Sequence, residues 1–290
     1  MCNSYKYACL MLACISWGKV DGFSSQGLEL FFWKDRFLNF GDHLSQILIE
    51  RILGQPISIY QKGAPITQPR LFGIGSIISF ARTGDIIWGS GVKGKLPNFS
   101  IYKFKNLDVR AVRGPLTRDF LHYYFNIEAP EVYGDPALLL PYFLPEFQRS
   151  EHPTYDYLII PHYSEQTLFP KEKFKNVAYP TDPWYEVVAK ILDSKFVISS
   201  SLHGIIVAEA FGIPARFLRI TDHEPMFKYE DYYLGTNRPY FKIAYSVKQA
   251  LKLGGETPGS CDLKKLYEAF PFEFWPHIQF INPFITQEHA

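Results

Sequence analysis

Cysteine is scarce in this 290-residue chain, and neither sign of charge dominates. There are four cysteines, Cys2, Cys9, Cys14 and Cys261, three of them crowded into the first fourteen residues. That spacing argues against a disulfide framework and matches no metal-ligand motif. The net charge of +1 points to no nucleic-acid partner and no acidic tail. Long apolar runs are also missing. The run from Ala8 to Trp17, after Lys6, is too short to span a bilayer. Residues 1–26 read as a loosely docked extension, with a weak signal segment as the alternative. A cytoplasmic location is expected, and a secretory lumen if that run is a signal. No Walker loop and no well-placed G-x-S-x-G occurs, and Gly73-x-Gly75 lacks the third glycine and later acidic partner of a dinucleotide fingerprint. Aromatic residues are plentiful, at 17% with 25 Phe and 19 Tyr. They suit packed cores and a sugar-facing cleft without identifying either.

The stretch from Val197 to Pro214 organises the rest. Val197-Ile198 suits a buried strand, and the Ser199-Ser200-Ser201 turn leads into an apolar helix that Gly212 and Pro214 end. Ser200 or Ser201 is the expected cap. A strand turning sharply into a helix leaves backbone N–H groups that favour an anion, and His203 falls in that first turn. Strand and helix patterns alternate on both sides of this stretch. Strands are expected near Leu28–Trp33, Pro56–Tyr60, Asp85–Trp88, Asp108–Arg113, Asp156–Ile160 and Ala215–Ile220, and Arg70–Ile78 reads as a strand or turn leading to a short helix. Helices are expected near Leu44–Ile52, Pro115–Leu121, Trp184–Leu192, Ser246–Leu253 and Leu263–Phe270. Pro141 to Pro153 reads as a linker. The pattern predicts an α/β chain of two Rossmann-like, doubly wound domains facing across a cleft, over residues 27–147 and 154–254, with a helix and tail over 255–290.

Four stretches fall at strand-to-helix junctions, where such a cleft would lie. In Asn39-Phe40-Gly41-Asp42, Asp42 is either a helix N-cap or a carboxylate able to take a proton from a sugar hydroxyl. Gly89-Ser90-Gly91 is either a simple turn or an anion-binding nest. Arg113, closing a strand, either pairs with Asp119 or Asp135 or offers its guanidinium to a carboxylate or phosphate. His203 can donate a proton, and Lys228, read in a loop, is either a solvated lysine or a second cation. The structural reading wins for each stretch alone. Jointly they put an arginine, a histidine and a lysine around one anion site, with a carboxylate opposite.

With those stretches in hand, the chain resembles the polysaccharide pyruvyl transferase family. The matching pieces are Asn39-Phe-Gly-Asp42, Trp88-Gly-Ser-Gly91, Val112-Arg113-Gly-Pro-Leu-Thr117, Gly134-Asp-Pro136, Ser200-Ser-Leu-His-Gly204 with Ala208-Glu-Ala and Gly212-Ile-Pro214, and Phe227-Lys228 before Asp231-Tyr-Tyr. They run in the family's order over roughly residues 28–253. The resemblance implies a GT-B-like architecture and transfer of pyruvate from phosphoenolpyruvate onto two hydroxyls of a sugar, forming a cyclic ketal. It implies that Arg113, His203 and Lys228 are phosphoenolpyruvate-binding and catalytic positions, supported by Ser201, Gly204, Gly89, Ser90 and Gly91. Asp42 is then the catalytic carboxylate of the first domain and Asn39 an acceptor-side residue. Arg219 is the substitute for Lys228, whose loop varies in spacing. The acceptor would be an oligo- or polysaccharide, free or lipid-linked, and no cofactor or metal is expected.

Two rivals stand beside this reading. One is a nucleotide-sugar glycosyltransferase on the same architecture. The other is a non-catalytic glycan-binding relative. An oxidoreductase is disfavoured by the missing dinucleotide fingerprint.

Overall fold

A computed structural model describes residues 27–34, 37–94 and 99–285. The expectations for residues 1–26, with Cys2, Cys9 and Cys14, lie outside the described residues.

Two four-stranded parallel sheets form the α/β framework. In the first, β1 (Glu29–Phe31), β2 (Arg70–Phe72), β3 (Ile86–Trp88) and β4 (Asp108–Ala111) pair in chain order. In the second, β5 (Leu158–Ile160), β6 (Val197–Ser199), β7 (Ala215–Leu218) and β8 (Ile243–Ala244) do the same. The strands are short; β2, β3, β5, β6 and β7 are wholly buried, as expected where both faces of a parallel sheet are covered, while β4 at the sheet edge is buried only at Ala111. The expected strand at Pro56–Tyr60 reduces to one parallel bridge, Leu30 to Ile59, on the outer side of β1.

The helices follow the alternation. They are α1 (Phe40–Leu53), α2 (Pro115–Phe125), α3 (Leu140–Phe143), α4 (Trp184–Leu192), α5 (Leu202–Ala210), α6 (Phe227–Gly235), α7 (Val247–Leu253) and α8 (Leu263–Glu268). α6 replaces the loop expected around Lys228. Its first residues carry no side-chain cap, so local sequence gives no start signal. Tertiary burial of Tyr229, Tyr232 and Tyr233 holds it instead.

One hydrophobic cluster joins both halves. Leu44 and Leu48 of α1, Leu139 and Leu140, Val187 and Val188 of α4, and Ile205 and Ile206 of α5 belong to it. Leu144 and Phe147, in the stretch expected to be a linker, are buried in the same cluster. Burying each such side chain is worth roughly 1.5–3 kcal/mol, so this segment is part of the core. The C-terminal chain returns to the first sheet. The Trp88 indole Nε1 donates to the Leu266 carbonyl at 2.8 Å.

Candidate active site

Strand carboxyl ends set the site. β1 lies between the Ile59 bridge and β2, so the chain leaves it first to one side and then to the other. β5 is placed in the same way, between a bridge to Val177 and β6. Such switch points open a crevice beyond the strand ends. A cavity of about 390 Å³ lies there, in the range of small-molecule sites. Segments following β1, β2, β3, β5, β6 and β7 all contribute to its wall.

From the first sheet come Asn39 and Asp42. The N-cap of α1 is Asn39, whose side-chain oxygen accepts from the Gly41 N–H at 3.0 Å. Asp42 is therefore not the cap. It sits in the first turn, lines the cavity, and carries no hydrogen bond or ion pair among the described residues. Burial pushes its carboxyl up to about 7; Asp135 adds to the rise, while Lys228 and Lys93 oppose it. A carboxyl poised near neutrality suits proton transfer. Asp135 is itself buried and pushed up to about 6 by burial. One of its oxygens accepts from Ala137 N–H, and the other has no partner among the described residues.

From the second sheet come Ser201, His203 and Lys228. The expected serine cap of α5 is absent: Ser201 stands at the cap position without a side-chain bond. The Ser200 hydroxyl is instead taken by Glu165, to which it donates at 2.5 Å. Gly212, at φ 72°, follows the end of α5 in the left-handed conformation expected of it. His203 lines the cavity, its ring set against Gly41. Burial lowers its pKa to about 3, helped by Lys228, Arg113 and His162, so the imidazole is neutral in the free protein. Lys228 is buried in the first turn of α6. Burial lowers its pKa to about 8, against the pull of Glu224. Arg219, the substitute cation, pairs with Asp222 and lines a separate small recess.

Three residues that sequence reasoning missed complete the charged wall. Glu224 takes Lys228 Nζ at 2.7 Å and Lys93 Nζ at 3.1 Å. His162 Nε2 lies 3.7 Å from the same carboxylate. The Ser164 N–H donates to His162 Nδ1, so in the neutral ring Nε2 carries the proton and faces Glu224. Burial disfavours the Glu224 charge, but Lys228, His162 and Lys93 together pull its pKa down to about 2. The clustering depends on contacts distant in sequence. Phe227 packs against Gly94, which brings Lys93 beside Lys228. The Lys228–Glu224 spacing of four was the one local signal available.

Arg113 stands behind the wall. Its guanidinium is fully buried against Asp231, with Nη2 3.0 Å from the carboxylate, and not against Asp119 or Asp135. The same Asp231 accepts from the Thr117 N–H and hydroxyl at 2.9 and 2.7 Å. Arg113 Nη1 donates to the Ser76 hydroxyl at 2.5 Å, and Ser76 lines the cavity. Arg113 thus reaches the cavity through Ser76, and through Asp231 it fixes α6, which carries Lys228. Its charge still acts on His203 and Lys228.

The glycine stretches do not line the cavity. Gly89, at φ 83°, packs against Pro136, and Gly91 packs against the Arg113 guanidinium. The Ser90 hydroxyl donates to the Gly73 carbonyl at 2.6 Å. Gly204 packs on Ser199 and Ile160. The expected nest is therefore a packing seam that lets Arg113 pass. Among the described residues, no group of three or more His, Cys, Asp or Glu is placed to hold a metal ion, and no helix is long and apolar enough to cross a membrane.

Comparison with known proteins places the sequence beside two relatives and one family. The chain is 31% identical over 196 residues to uncharacterized protein L143 of Acanthamoeba polyphaga mimivirus, covering 65% of this chain and 66% of that one. It is 30% identical over 216 residues to the succinoglycan biosynthesis protein ExoV of Rhizobium meliloti (strain 1021), covering 71% of this chain and 64% of that one. The chain thus spans slightly less than two thirds of either relative's length. A functionally uncharacterized protein from Klebsiella pneumoniae aligns structurally over 85% of this chain and 100% of its own, at 15% identity and a TM-score of 0.46. The polysaccharide pyruvyl transferase model matches residues 39–223, from the cap of α1 to the residue before Glu224. By that match, which covers more than half of its length, the chain belongs to the polysaccharide pyruvyl transferase family.

Proposed function

We propose that this protein transfers pyruvate from phosphoenolpyruvate to two hydroxyls of one sugar in a glycan, forming a cyclic ketal and releasing phosphate. One observation carries the reading. A single cavity at the carboxyl ends of both sheets holds Lys93 and Lys228 together with an unpaired Asp42 and a neutral His203. The two sheets then act as the halves of a GT-B-like enzyme, acceptor on the first side and donor on the second.

The residues suit each step. Lys228 and Lys93 hold the donor's phosphate and carboxylate, with Ser76 and Ser201 adding hydroxyls. Burial is the main brake on the His203 charge, with the fields of Lys228 and Arg113 adding to it, and a bound anion opposes both by favouring the imidazolium. His203 therefore takes up a proton in the complex and delivers it to C3 of the enol. Positive charge builds at C2, where the first sugar hydroxyl adds and gives its proton to Asp42. The C2–O bond to phosphate then breaks, and the second hydroxyl closes the ring. Of the two hydroxyl protons, one replaces the proton now in the methyl group and the other leaves on hydrogen phosphate. Acid–base help of this kind is worth about 10²–10⁴ in rate.

The test is incubation with phosphoenolpyruvate and a panel of sugar acceptors, following phosphate release and product mass. A ketal product with phosphate release is expected. Thermal stabilisation by sugar nucleotides and not by phosphoenolpyruvate would favour a glycosyltransferase instead.

A further inference from the structure

Around the cavity mouth the aromatic rings fall into two sets. Trp33 and Phe80 stack at 4.7 Å, Phe80 also stacks on Phe31 at 5.6 Å, and Lys62 lies over Trp33. Their faces are occupied, so they form wall. Phe37 and Tyr163 differ. Phe37, from the segment after β1, and Tyr163, from the turn after β5, both line the cavity and are 59% and 47% exposed. Each has only the other as a ring neighbour among the described residues, at 6.4 Å and tilted by 41°. Neither ring stacks face to face, and Tyr163 Oη carries no hydrogen bond among the described residues. Two large rings left about half in water, side by side at one cavity, keep apolar area available to a ligand.

We propose that Phe37 and Tyr163 clamp a pyranose ring of the acceptor glycan at the cavity mouth; this rests on the transfer reading above. A pyranose offers flat C–H faces to aromatic rings and hydroxyls around its edge. The rim beside the clamp supplies matching polar groups. Asn39 uses its side-chain oxygen for the α1 cap, leaving its amide nitrogen free to donate. Ser79 and Asp42 line the same cavity. A sugar held this way presents its hydroxyls toward Asp42 and the charged wall beyond. The two rings come from opposite sheets, so the clamp also draws the acceptor side to the donor side.

The test measures glycan binding apart from donor binding. Wild type, Phe37→Ala, Tyr163→Ala and Tyr163→Phe are applied to immobilised oligosaccharides ending in galactose, glucose or mannose. Phosphoenolpyruvate binding is read separately by thermal shift. Wild type is expected to retain at least one terminal sugar, and each alanine variant to bind it roughly tenfold less or worse. Tyr163→Phe should keep most of the binding, and the phosphoenolpyruvate shift should be the same in all four. The clamp is refuted if wild type binds no terminal sugar, if the alanine variants bind as wild type does, or if they lose the phosphoenolpyruvate shift as well. Clamp-dependent glycan binding without any phosphoenolpyruvate shift in wild type would leave the clamp standing and refute the donor instead.

Discussion

The imidazole of His203 lies against the α-carbon of Gly41, so closely that a methyl group there would overlap Nδ1 and Cγ of the ring. The first turns of α1 and α5, one helix from each sheet, therefore meet with no space between them. Asp42 follows Gly41 directly, so the contact puts the carboxylate and the imidazole at one cavity wall.

Gly41→Ala is thus expected to displace His203. Overpacking of this kind costs about 1–3 kcal/mol, and a misplaced catalytic ring can cost ~10²-fold in kcat. Thermal unfolding and the rate of phosphate release would check both. A variant with native stability and turnover would show that the ring can move without consequence.

Asp42→Asn should stabilise the protein at alkaline pH while removing turnover. The folded pKa of Asp42 is raised from 3.8 to about 7, so the folded state binds its proton more tightly than the unfolded chain does. The stability that proton binding supports is complete below pH ~4 and is lost as pH rises through about 7. Asparagine carries no such dependence. Urea unfolding should show the variant ahead by on the order of 2 kcal/mol at pH 8, with the difference shrinking below pH 7 and gone near pH 4. An equal difference at both pH values would assign the effect to packing.

Phosphoenolpyruvate binding should weaken as pH rises through about 8, where Lys228 loses its proton. Glu224 holds that proton on, against burial. Glu224→Gln is therefore expected to move the alkaline limb to lower pH. Calorimetric titration from pH 6.5 to 9.5 would resolve the shift. A limb that stays in place or moves up would mean that another group sets it.

Arg113→Ala leaves the Asp231 charge buried without its partner and should cost roughly 3–5 kcal/mol. Asp231→Ala should cost a similar amount for the mirror reason. The double variant should lose clearly less than the two singles combined, because no lone charge remains. Chemical denaturation of the three variants gives the coupling. Strict additivity would separate the two side chains energetically, and the link from Arg113 to α6 would fall with it.

Local pattern accounts for much of the framework. Buried β-branched runs such as Val197-Ile198 and Ile86-Ile87 form strands because few other elements bury a short apolar run on both faces. α4 matches its expected span, Trp184–Leu192, because its apolar spacing repeats at the helical period. Asn39-Phe-Gly-Asp42 and Ser-Leu-His203-Gly were legible as helix starts beside a crevice. The helix of Lys228 was not, because its buried tyrosines stabilise it only once neighbours surround them.

What the sequence determined by itself was periodicity, turn chemistry and the ordered motifs, which are local properties of the chain. These gave the alternating α/β framework, the family, and His203, Asp42 and Lys228 as residues of interest. Tertiary structure decided who meets whom. Asn39 and not Asp42 caps α1, Asp231 across more than a hundred residues takes Arg113, and Glu224 gathers Lys93, Lys228 and His162. Pairings of charge and proton affinity depend on distance and burial, and both come into being only when the two sheets close on one another.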